Sequence, residues 1–107
     1  MIIKNNDIAL TNLGGGVSRK ILASDGGLMT AEVYFTKGAV GAPHSHFHEQ
    51  IGYVVQGSFK ATIGGKTTTI QAGDSYYVPP DVVHGVVALE DGILLDVFTP
   101  QREDFLS

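Results

Sequence analysis

The stretch GAVGAPHSHFHEQIGYVVQG, residues 38–57, decides how this chain is read. It holds three of the four histidines within five positions and then runs into an apolar strand. In an extended chain, residues two apart share a face, so His44 and His46 point the same way. Two imidazoles so placed can grip one metal ion of the Zn, Ni, Cu or Fe type. On the same parity His48 and Gln50 share that face, unless the chain bends between them. His84, far along the sequence in PPDVVHG, opens another strand and supplies a third imidazole.

Outward from this stretch the chain reads as strand, turn, strand. Residues 17–23 (VSRKILA) precede the turn SDGG, and 28–36 (LMTAEVYFT) are rich in β-branched and aromatic residues. Gly and Pro make 37–43 a loop. A strand over 51–56 ends at Gly57. SFKATI and KTTTIQ flank Gly64-Gly65, a strong hairpin signal because both turn positions accept positive φ. AGD is a turn, SYYV a short strand and Pro79-Pro80 a break. VHGVVAL and ILLDVF flank EDG, which predicts a second hairpin. Gly14 to Gly16 read as a flexible turn, since no helix pattern follows to make a phosphate loop. Only the tail TPQREDFL suits a helical turn. Roughly nine short strands with frequent turns predict a small all-β barrel or sandwich.

A length of 107 residues predicts one domain over 1–107, and 43% hydrophobic residues suffice for one core. A net charge of −4 argues against nucleic acid or an anionic membrane as a partner. No apolar run approaches the length of a membrane span. The start lacks the pattern of a signal peptide, so a cytoplasmic protein is expected. There is no cysteine, which excludes disulfides, zinc-thiolate sites and a thiol nucleophile.

Two spacings carry a family resemblance. One is Gly38-x5-His44-x-His46-x3-Gln50-x6-Gly57. The other is Gly73-x5-Pro79-x4-His84. Their order and spacing resemble the two motifs of the cupin superfamily, over residues 38–98. This implies a single-domain cupin jelly-roll β-barrel with one divalent transition metal (Zn, Ni, Mn or Fe) in its mouth. Small cupins usually pair, so a homodimer is expected. Where cupins usually carry Glu this chain has Gln50, and Glu49 falls one place early. Asp81 and Ala88 replace the usual Gly and Asn of the second motif. The segments HGVVALEDGILLDVFTPQREDFL and GAVGAPHSHFHEQ are similar to the pectin-degradation cupins, which linearise unsaturated uronates. That resemblance implies metal ligands His44, His46, Gln50 and His84. It also implies catalytic and substrate-contact residues Asp96, Phe98 and Arg102, and a small anionic sugar as substrate.

The residue chemistry agrees with that resemblance. Three imidazoles and one amide leave a divalent metal's charge unneutralised, which favours polarising a bound oxygen and holding an anion. The 2-His-1-carboxylate set of Fe(II) oxygenases is missing, which counts against redox chemistry. Asp96 is an acid within an apolar strand, where a carboxylate rarely sits without a task. Asp96 is assigned acid/base work, Arg102 a two-pronged hold on a carboxylate, and Phe98 an apolar wall. His48 reads as a rim or supporting residue, and Glu49 as facing away. A hairpin at EDG that pairs Leu89 with Ile93 would set His84 opposite Phe98 and Val86 opposite Asp96. The alternative is a jelly-roll crossing, in which the chain passes to the other sheet there instead. Alternatives are a polyketide-cyclase-like cupin, which would want a larger and more apolar mouth, and a non-catalytic sugar-binding module.

Overall fold

A computed structural model describes residues 1–106. Ten strands fold into two antiparallel sheets. They are β1 (Thr11–Gly14), β2 (Val17–Asp25), β3 (Leu28–Phe35), β4 (Val40–His44), β5 (Glu49–Gln56), β6 (Ser58–Ile63), β7 (Lys66–Gln71), β8 (Ser75–Val78), β9 (His84–Ala88) and β10 (Gly92–Thr99). A 3-10 turn covers Asn5–Asp7, and one helical turn, α1, covers Glu103–Leu106. The six-stranded sheet runs β1-β2-β3-β10-β5-β8 and the four-stranded sheet β4-β9-β6-β7. This is an all-β sandwich, as the strand pattern predicts, in the jelly-roll arrangement that the resemblance implies.

Alternation decides which side chains face the space between the sheets. Along β10, Gly92, Leu94, Asp96 and Phe98 are buried, and along β5, Gln50, Gly52 and Val54 are buried. Each set is spaced by two, the period of a strand. Phe35, Val54, Phe59 and Leu94 anchor one core cluster, and Met29, Ala31 and Phe98 form a second. The Phe35 and Phe59 rings meet edge to face at 5.2 Å, the geometry their quadrupoles favour.

Where a turn joins two strands of one sheet, the local signal holds. Gly64 and Gly65 take φ of +58° and +82° and join β6 to β7, with Ile63 opposite Lys66. Three local readings are overturned. EDG does not close a hairpin, because β9 lies in the four-stranded sheet and β10 in the six-stranded one. β10 is already paired on both sides by β3 and β5, and β9 by β4 and β6. The proposed pairing of Leu89 with Ile93 therefore does not occur, and neither does that of His84 with Phe98. The crossing is tight. A Cβ on Gly57 would lie 2.5 Å from the Asp91 carbonyl oxygen, and one on Gly92 would lie 2.6 Å from Phe59.

Second, the loop predicted over 37–43 contains most of β4, which pairs with β9. β4 is an edge strand, so Pro43 withholds no bond the sheet needs. A Cβ on Gly85 would lie 2.9 Å from the Gly41 carbonyl oxygen, so bare backbone lets the two strands close. Third, residues 44–50 are not one extended strand. They leave the four-stranded sheet at His44 and enter the six-stranded sheet at Glu49.

Gly52 supports the site from below. A Cβ there would lie 2.2 Å from the Tyr76 ring. Gly52→Ala must displace a half-buried ring, and we expect it to destabilise the protein by about 1–3 kcal/mol. Urea unfolding measures this, and an unchanged midpoint would refute the packing constraint.

Candidate metal centre

His44 ends β4 and His84 begins β9, and the two are direct cross-strand partners. His46 lies on the crossover between the sheets. The ring centres are 4.4 Å apart for His44 and His84, 4.8 Å for His46 and His84, and 5.5 Å for His44 and His46. The three form a group whose ligand atoms all lie within 4.8 Å of one another, which can hold a metal ion. His48 is outside that group. Its Nε2 donates to the Gln101 carbonyl at 3.2 Å, and it is buried rather than at the rim. Glu49 is exposed, as expected.

The hydrogen bonds fix which nitrogen each ring presents. His44 Nδ1 lies 2.9 Å from the Ala42 carbonyl, His84 Nδ1 2.9 Å from that of Val82, and His46 Nδ1 3.0 Å from that of His48. A carbonyl only accepts, so each Nδ1 carries the proton and each Nε2 offers a lone pair. His46 Nε2 and His84 Nε2 face Gln50 Oε1 at 3.0 and 3.1 Å. An unprotonated ring nitrogen and an amide oxygen are both acceptors and need a positive centre between them. The donor set therefore fits a cation held by three imidazoles and one amide oxygen. Burial lowers the pKa of His46 and of His84, which favours the neutral, ligating form.

Gln50 also explains its own departure from the usual Glu. Its Nε2 donates to Asp96 Oδ1 at 3.1 Å, with both side chains buried. A glutamate would set two carboxylates against each other at that distance. An ionised glutamate has no donor to offer, whereas the amide turns an acceptor toward the imidazoles and a donor toward Asp96. Burial pushes the Asp96 carboxyl up to about 7, against smaller opposing effects from the Gln50 hydrogen bond and the Arg102 charge. An acid near neutrality is suited to both taking and giving a proton at working pH. Tyr76 stands over Gly52 beside the same cavity, and burial, then the Asp96 charge, raises its phenol well above the usual range. Sequence reading missed Tyr76. The alternation in SYYV puts one of its two tyrosines inside, and Gly52 marks where a ring fits.

Phe98 and Arg102 also border the cavity, with His44, Gln50, His84 and Asp96. Phe98 packs edge-on to His46 at 5.8 Å. The two-pronged hold assigned to Arg102 needs one correction. Its Nε and Nη2 already bind Asp104 Oδ1 and Oδ2 at 3.0 and 2.9 Å. What remains for a ligand is the end-on edge of the guanidinium, aimed by Asp104. The cavity volume is about 150 Å³, below the ~300–1,000 Å³ of pockets for drug-sized ligands, so it suits one small ring.

Comparison with known proteins now decides the family. The cupin domain model matches residues 31–98. The chain belongs to the cupin family. It is 47% identical over 96 residues to the pectin degradation protein KdgF of Dickeya dadantii (strain 3937), covering 88% of this chain and 87% of that one. Among solved structures, KdgF from a Halomonas species superposes with a TM-score of 0.94 at 40% identity, covering 98% and 97% of the two chains. An RmlC-like cupin from Shewanella frigidimarina NCIMB 400 gives a TM-score of 0.94 at 41% identity, covering 97% and 94%. The likeness to pectin-degradation cupins thus extends over nearly the whole chain. No helix among the described residues is long and apolar enough to cross a membrane.

Two outcomes follow from the donor set. A divalent metal should raise the melting temperature of the protein, and His84→Ala should remove most of that rise. An equal rise in the variant would exclude His84 as a ligand. In chelated, metal-free protein the folded Asp96 holds its proton more tightly than the unfolded chain does. Its contribution to stability is present below about pH 4 and is lost as pH rises toward 7. Asp96→Asn should therefore be more stable than the native chain at pH 8 and equal to it below about pH 4. Melting curves across pH check this, and a constant difference between the two proteins would contradict it.

Proposed function

We propose that this cupin opens cyclic 4,5-unsaturated monouronates, the products of polysaccharide lyases, into linear keto-aldehyde acids. The observation that carries the reading is the Gln50 amide, which joins the three-histidine group to a buried acid titrating near neutrality. The 47% identity to a pectin degradation protein supports the substrate class. The ~150 Å³ cavity supports a monosaccharide over a polyketide.

The reaction is an isomerisation and needs no oxidant. The anomeric hydroxyl loses a proton as its carbon becomes an aldehyde. The bond from that carbon to the ring oxygen breaks, and its electrons stay on that oxygen as an enolate at carbon 5. A proton delivered to carbon 4 completes the ketone. Asp96 is the group placed to take the first proton and return one. His44, His46, His84 and Gln50 would hold a divalent metal, which supplies Lewis-acid polarisation of a bound oxygen. Arg102, through its end-on edge, holds the substrate carboxylate with charge-assisted hydrogen bonds. Phe98 covers one face of the sugar and keeps water from it.

Incubation with lyase-generated unsaturated monouronates, followed by proton NMR, tests this directly. The ring alkene signal should vanish as linear product forms. Asp96→Ala should slow the reaction by about 10²–10⁴-fold while metal content is unchanged. Full activity in the variant would end the acid/base role of Asp96. No product from the native protein would end the proposed reaction.

A further inference from the structure

Alternation along β2 sends Val17, Arg19 and Ile21 toward the interior. Val17 packs against one core cluster and Ile21 against the other. Arg19 is the charged member of this apolar row, and it borders the same cavity as His44, Gln50 and Asp96. Its guanidinium carbon lies 3.9 Å from the centre of the Phe105 ring, and that of Arg102 lies 4.3 Å from the same centre. One aromatic ring therefore gathers two cations beside the metal centre.

The two cations differ in how they are satisfied. Arg102 is forked by Asp104, whose charge also acts on Arg19. Arg19 Nε is buried and has no hydrogen-bond partner among the described residues. A buried cationic N–H without an acceptor is costly, and its presence in a cavity wall calls for an acceptor that arrives with a ligand.

We infer that Arg19 is a second anion-binding residue of this cavity, whose Nε–H joins the end-on edge of Arg102 to seat a ligand carboxylate. The seat selects sugar acids over neutral sugars. The choice of a sugar acid as ligand rests on the proposed function; the unpartnered Nε–H does not. A purely structural role would have Arg19 only brace Phe105 and the tail.

The probe is galacturonate, a saturated sugar acid that lacks the 4,5-double bond and so cannot form the keto-aldehyde product, with galactose as the neutral control. In the native protein, galacturonate should shift the NMR resonance of the Arg19 Nε–H, and galactose should not. By calorimetry, Arg19→Gln should weaken galacturonate binding about tenfold or more, the scale of one lost charge-assisted hydrogen bond. Arg19→Lys keeps the charge and should retain part of the affinity, although lysine braces an aromatic ring poorly. Native affinity in Arg19→Gln, or an Arg19 resonance unmoved by galacturonate, overturns the inference. The resonance decides even where the glutamine variant fails to fold. Galacturonate binding that depends on Arg19 without any ring opening would remove the proposed reaction and leave this inference standing. Ring opening together with Arg19-independent binding would do the reverse.

Discussion

The Gln50 amide is the constraint around which the site is organised. Its oxygen faces the His46 and His84 nitrogens, and its NH2 group donates to Asp96. One planar group thus sets the distance between the candidate metal and the candidate acid. A carboxylate in its place would cancel a charge on the metal and repel Asp96. The neutral amide would leave a bound cation's charge undiminished, and it keeps the acid intact. It lies on β5, opposite Phe98 on β10, so its position follows from a central strand pair and not from a loop.

The site spans both sheets. His44 and His84 come from the four-stranded sheet, while Gln50 and Asp96 come from the six-stranded one. The residues between His44 and Glu49 carry His46 across the gap. A site assembled this way depends on pairings between strands far apart in sequence. It holds its shape only because bare glycines at 52, 57, 85 and 92 let backbone and rings approach.

What was legible in the sequence follows from range. Turns that join neighbours in one sheet, such as Gly64-Gly65, carry their geometry in two residues, and strands β6, β7 and β8 have the predicted bounds. EDG carries a similar local signal, yet it joins strands whose edges are already taken by others. Nothing in three residues reveals that. The convergence of His44, His46 and His84 was legible from motif spacing, although parity along one strand was the wrong reason for it. Arg19 was hidden for a different cause. Its inward parity is plain in VSRKILA, but the ring that brings it to Arg102 belongs to the opposite end of the chain.

The three histidine rings are each held by a main-chain carbonyl, those of Ala42, His48 and Val82. Their aim is therefore encoded in backbone conformation, not in the side chains that stand behind them. Side chains at 42 and 82 can drift over evolutionary time without turning a ligand away from the centre. An inserted residue in either segment cannot be tolerated in the same way, since it would move the carbonyl and swing the ring with it. The centre is thus more sensitive to the length of these segments than to their composition.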